Sequence, residues 1–125
     1  MSTYGTALNE GANLVAGADL SSSQFLAVKA NSTARQVVLA STGGEAITGI
    51  LQDTPTSGQV ATVCFEGFTK AQAGVGGWTA GQALMTEAAT GKLVAQTSTN
   101  AKVAVAHETV NANEIGLVRV IPTAG

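Results

Sequence analysis

The stretch Gly49–Val94, GILQDTPTSGQVATVCFEGFTKAQAGVGGWTAGQALMTEAATGKLV, decides how this chain is read. Its apolar runs are short, and each is closed by turn chemistry. Pro55 presets its φ for a turn, and Gly58 accepts positive φ before the next run. Thr90-Gly91 can do the same in a hairpin. Runs of this length, bounded in this way, read as β-strands and leave little room for an amphipathic helix. No group of reactive side chains assembles anywhere in the stretch.

Working outward, the punctuation stays regular. Strands are expected at Phe25 to Ala30, Arg35 to Ala40, Ala46 to Gln52, Gln59 to Phe65 and Phe68 to Ala73. Others follow at Leu84 to Thr86, Lys92 to Gln96, Lys102 to Glu108 and Glu114 to Ile121. Such spacing predicts an all-β fold, a compact β-barrel or β-sandwich of about eight to ten short strands. A helix competes only over Thr79 to Ala89, where Ala83, Leu84, Met85 and Glu87 are good helix formers. Gly81 interrupts that segment and Gly74, Gly76 and Gly77 precede it, so a loop followed by a strand is expected. Lys102 to Glu108 alternates cleanly, with Val103, Val105 and His107 on one face and Lys102, Ala104, Ala106 and Glu108 on the other. The valine face is read as the core face. Gln59 to Phe65 is apolar on both faces, as expected of a strand central to a two-layer core or covered by a neighbouring subunit.

Residues 1 to 24 mix glycine, serine and asparagine with the isolated apolar residues Tyr4, Leu8, Leu14 and Val15, without a sustained period. They are read as an extended N-terminal arm, with a frayed terminus as the plainer alternative, and residues 25–125 as a single β domain. Charged residues make up only 11% of the chain of 125, against 45% hydrophobic residues and 15 glycines. An ordinary freely soluble surface carries about 25% charged residues, so partner subunits are expected to cover part of this one. The net charge of -2 and six scattered basic residues argue against nucleic-acid binding, which needs a basic patch. No secretory signal is visible, and no apolar run approaches the ~20 residues of a membrane span. A protein made in a cytoplasm, with neither nucleic acid nor membrane as partner, is therefore expected. The single cysteine, Cys64, excludes an intrachain disulfide.

Each candidate for chemistry has a plainer reading. Cys64 and His107 would need to meet to form a nucleophile and base. Cys64 reads instead as a small buried hydrophobe in a strand, and His107 as a hydrogen-bonded structural histidine. One cysteine and one histidine lack the ligand number of a zinc site. The acidic residues form neither a D-x-D pair nor a calcium loop. Gly74-Val75-Gly76-Gly77 is not followed by the Gly-Lys-Ser/Thr of a phosphate loop. Trp78 reads as a core or subunit-interface anchor. A glycan-binding role, the alternative, would pair it with Glu66 or Glu87. Asn31-Ser32-Thr33 matches a glycosylation sequon, but without a secretory signal it has no access to that machinery. No enzyme, no cofactor and no metal is expected.

The order of elements is a Gly-Ile-Leu-Gln segment, a Pro-x-x-Gly turn, an alternating strand, Gly-Phe-Thr-Lys-Ala, a glycine loop, Ala-Gly-Gln-Ala-Leu and a Thr-Gly-Lys turn. That order resembles the small capsid cement, or head decoration, proteins of tailed bacteriophages. The resemblance spans roughly Ile47 to Ile121 and is strongest from Gly49 to Lys92. It implies a structural virion protein on the outer surface of an expanded capsid, bound to the major capsid protein and often trimeric, with no catalytic residues to carry over. Tyr4, Leu8, Leu14, Val15 and Trp78 are then the candidate capsid or subunit contacts. A virion fibre or receptor-binding module would share the same composition.

Overall fold

A computed structural model describes residues 14–123, and among them every regular element is a strand. The ten strands are β1 (Val15–Ala16), β2 (Ala27–Ala30), β3 (Gln36–Leu39), β4 (Gly49–Leu51), β5 (Val63–Cys64), β6 (Gly67–Gln72), β7 (Ala83–Thr86), β8 (Leu93–Ala95), β9 (Ala104–Ala106) and β10 (Ile115–Val120). They form two five-stranded sheets, in the orders β1-β3-β2-β4-β5 and β6-β10-β9-β7-β8. All pairings are antiparallel except β1 with β3. The expected all-β fold is the observed one, and within Thr79–Ala89 a turn at residues 79–82 leads into β7.

The main core lies between the sheets. Ala27, Ile50 and Cys64 from the first sheet meet Ala71, Leu84, Leu93, Ala104, Ala106, Val118 and Val120 from the second. Consecutive residues in a strand point to opposite faces. Thus Val28, Leu51 and Val63 point the other way and form a second cluster with Ala16, Leu20, Val37 and Ala61. The first sheet is therefore buried on both sides. It manages this by curling: the free side of β1 bonds the approach to β5, through Ala16 N–H to Gln59 O at 2.8 Å and Ala61 N–H to Leu14 O at 2.9 Å. An isolated antiparallel bridge, Val15 with Val60, lies in the same seam.

This seam changes two expectations. Residues 14–24 are built into the packed body, with Ala16 and Leu20 fully buried and Leu20 N–H bonded to Pro55 O at 2.9 Å. The strand expected over Gln59 to Phe65 contributes only Val63–Cys64 to the β4–β5 ladder, because Gln59 and Ala61 spend their backbone groups on the β1 segment. Its apolar faces are buried by the chain's own two clusters at Val63 and Cys64, while Val60 is exposed.

β9 corrects a third expectation. Val103, just before the strand, is buried in the main core as expected, but within β9 Ala104 and Ala106 face the core, whereas Val105 is half-buried and His107 exposed on the outside. The partner strand decides this. β10 turns Gly116, Val118 and Val120 inward, and Val118 and Val120 lie opposite Ala106 and Ala104, leaving room only for small neighbours.

Candidate functional site

The second sheet is covered on one face only. Along β10 the burial alternates, so Ile115 (48% exposed), Leu117 (36%) and Arg119 point outward. Along β6, Phe68 (39% exposed) and Lys70 do the same. The register sets Phe68 opposite Arg119, Lys70 opposite Leu117, and Gln72 opposite Ile115; Val105 of β9 lies on the other side of Arg119. His107 N–H bonds Leu117 O at 2.9 Å, which carries the next residue of β9 onto the same face. Its ring meets Phe68 edge-on, with centroids 5.0 Å apart and planes at 74°, a geometry favoured by aromatic quadrupoles.

The result is a flat patch of Phe68, His107, Leu117 and Val105 edged by Lys70 and Arg119. Among the described residues the one ion pair is Lys29 with Glu45 at 3.2 Å, so neither cation on this face is neutralised by a bridge. Glu108 ends the patch: its Oε1 accepts the Leu117 N–H at 2.7 Å in place of another rung of the ladder. Such a face suits docking to a broad surface, with an apolar centre and a polar rim.

A second feature opens at the other end of the same sheet. A cleft of about 420 Å³ is bounded by the glycine loop (Val75, Gly76, Gly77), Trp78, β8 (Val94, Ala95) and the turn at Thr109–Asn111. Gly77 has φ +62°, and a side chain there would collide with the Val110 carbonyl, so only glycine passes the chain between these walls. Trp78 is held by an antiparallel bridge to Val110, with N–H to O distances of 3.0 and 3.1 Å. Glu87 pins the loop from behind: its carboxylate accepts Val75 N–H at 2.8 Å and the Thr90 hydroxyl at 2.6 Å. The Thr90 hydroxyl first, then the Val75 amide, hold this carboxyl below its ordinary value against a smaller opposing effect of burial.

The expected contact residues are dispersed. Tyr4 and Leu8 lie outside the described residues. Leu14 is half-buried against the smaller cluster, and Val15 is half-buried in β1 with its N–H on Arg35 O. Trp78 is only 3% exposed and belongs to the main core, where its indole N–H has no hydrogen-bond partner among the described residues. Cys64 lies between the sheets and His107 on the outer face of the second, so the structure does not bring them together. His107 is an exposed ring against Phe68, not the hydrogen-bonded internal histidine expected. Glu66 is exposed, and Glu87 is engaged with the glycine loop. No group of three or more His, Cys, Asp or Glu that could hold a metal occurs among the described residues. Phe68, Ile115 and Leu117 were not singled out from sequence, although the alternation of Ile115–Val120 already offered two faces.

No protein-family model matches the chain, and no curated protein matches it. Among solved structures it is similar to the head fiber gp8.5 N base of bacteriophage phi29, at 14% sequence identity and a TM-score of 0.64. The similarity covers 86% of this chain and 90% of that one. At such low identity the likeness is one of fold.

Proposed function

We propose that this protein is a structural component of a phage virion that binds the outer surface of the head through the exposed face of its second sheet. The observation that carries the reading is the unneutralised apolar and basic patch of Phe68, His107, Leu117, Lys70 and Arg119, on a fold similar to that of a phage head fiber base. The likeness of element order to cement proteins supports the same location. Docking that fits one state of a shell stabilises that state by mass action. Association into trimers would multiply modest contacts into a slow off-rate, which suits a patch without a deep pocket.

The test is addition of purified protein to heads lacking it, with occupancy followed by electron microscopy. Leu117→Glu and Phe68→Glu are expected to lower occupancy at least about tenfold, as hot-spot truncation does. Circular dichroism should show both variants still folded at the assay temperature, because more than a third of each side chain already meets solvent. Unchanged occupancy would overturn the assignment of this face.

A second reading, the base of a head fibre, is favoured by the phi29 neighbour, itself the N base of a head fiber. The two readings differ in copy number: a cement protein occupies the shell many times over, whereas a fibre base marks few sites. Counting copies in purified particles separates them.

A further inference from the structure

We propose, resting on the head-binding reading, that the surface met by the outer face of the second sheet is acidic: a protein surface whose carboxylates receive Lys70 and Arg119 around an apolar centre that receives Phe68 and Leu117. Carboxylates outnumber basic side chains in the chain by eight to six, yet almost all the described ones are engaged by the backbone. Asp19 accepts Ser21 N–H at 3.0 Å, Glu45 those of Ser41 and Thr42 at 2.9 and 2.8 Å, and Asp53 that of Thr62 at 3.2 Å. Glu87 braces Val75, Glu108 braces Leu117, and Glu114 accepts Asn111 N–H at 2.8 Å. Glu66, the exception, sits in the bend where Gly67 at φ +113° opens β6, and it bridges neither cation of the face.

Lys70 and Arg119 are placed differently. Lys70 lies opposite Leu117, and Arg119 lies opposite Phe68 with Val105 on its other side, so the cross-strand neighbours of both cations are apolar. The same register makes Lys70 and Arg119 diagonal neighbours on one face, about 7–8 Å apart at the backbone. Like charges facing each other across strands repel, whereas interleaved opposite charges would add stability. A chain with carboxylates in excess thus sets none within the ladder between these two cations. An anionic partner turns that repulsion into two charge-assisted contacts, and the planar fork of Arg119 matches a carboxylate with two parallel hydrogen bonds. Carboxylates on a protein suit the face better than the phosphates of a nucleic acid. Exposed Phe68, Leu117 and Ile115 occupy the positions where a phosphate chain would need further basic residues, and they match the apolar centre of a protein interface. Complementary charge also steers encounter and fixes register, which a flat face without a deep pocket requires.

The experiment follows association of the labelled full chain with purified heads lacking it, at rising salt. Going from about 0.1 M to about 1 M salt shortens the reach of charge from about 10 Å to about 3 Å, and the parent's association rate should fall about tenfold. Lys70→Gln combined with Arg119→Gln should lower the low-salt rate by the same factor and remove most of its salt dependence. The sign of the partner's charge is read at the centre of the face: Leu117→Lys should keep several-fold more occupancy than Leu117→Glu, although both lose the apolar contact. All three positions are exposed, and circular dichroism checks that each variant folds. Equal losses for the two Leu117 variants, or a double glutamine variant that binds at the parent's rate, would overturn the proposal and leave the face in use. Release of bound chain by nuclease would assign the anion to nucleic acid and overturn it as well. Leu117→Glu without any effect would instead remove the head-binding reading, and the proposal with it.

Discussion

Trp78 joins the core to the cleft, and its unpartnered indole N–H makes a sharp prediction. Trp78→Phe should cost far less stability than so buried a residue suggests. The substitution removes two ring carbons, worth about 1.6 kcal/mol of transfer free energy. The small void left behind adds about 1 kcal/mol. Against this, the variant no longer buries an unsatisfied donor, a relief of about 1–3 kcal/mol. The net effect therefore lies between about no change and a loss of about 1.6 kcal/mol, whereas Trp78→Ala should lose about 3–5 kcal/mol. Urea unfolding followed by circular dichroism is the suitable assay, because Trp78 is the sole tryptophan and fluorescence would vanish with it. At this chain length 1 kcal/mol corresponds to about 4 °C in Tm, so thermal melts give an independent reading. If Trp78→Phe proves as damaging as Trp78→Ala, the indole N–H is engaged in solution and the reasoning fails.

Two further predictions probe the frame and the loop. Gly49→Ala should destabilise by about 2–3 kcal/mol, read as a lower urea midpoint, because the new methyl would overlap the Cys64 carbonyl across the β4–β5 pair; a midpoint like the parent's would show that β5 can move aside. Glu87 should make the glycine loop acid-sensitive. Its carboxyl is held below the ordinary value of 4.5, so its contribution is present above that value and is lost as pH falls through the lowered one. Amide exchange at Val75, corrected for intrinsic rates, should therefore lose protection in that acid window in the parent. In Glu87→Gln the protection should be independent of pH there, and a parent-like acid transition in the variant would assign the effect to another group.

What the sequence reveals and what it withholds divide along physical lines. Turn residues act locally, so Gly58 and Gly91 marked turns that the structure keeps, both at positive φ, even though the strand expected to start at Gln59 is shorter. β1 escaped notice because it is two residues long and draws its stability from remote partners, β3 on one side and Gln59–Ala61 on the other. Alternation expected over the whole of Lys102 to Glu108 holds only within Ala104–Ala106, since Val103 and Ala104 are both fully buried, and it could not say which face of that strand is inside. That was settled by the volume of Val118 and Val120 on the partner strand, which left the core side of β9 to alanines. The docking patch was hidden for the same reason: Phe68 and Leu117 become neighbours of His107 only once β6, β10 and β9 are in register.

The sparse charge of the chain also acquires a more specific meaning. Taken as composition, it implied a surface extensively covered by partners. The curl of the first sheet accounts for part of this internally, because Val28, Val37, Leu51 and Val63 are sealed by Ala16, Leu20 and Ala61 of the same chain. Of the large apolar residues that stay exposed, Phe68, Ile115 and Leu117 lie on the face of the second sheet and Val75 at its cleft, while Val60 lies beside the seam of the first. A face and an edge on one sheet can be engaged at the same time without competing. The fold thus leaves two separate apolar surfaces on one sheet, and on that geometry substitutions at Leu117 and at Val75 should affect different associations.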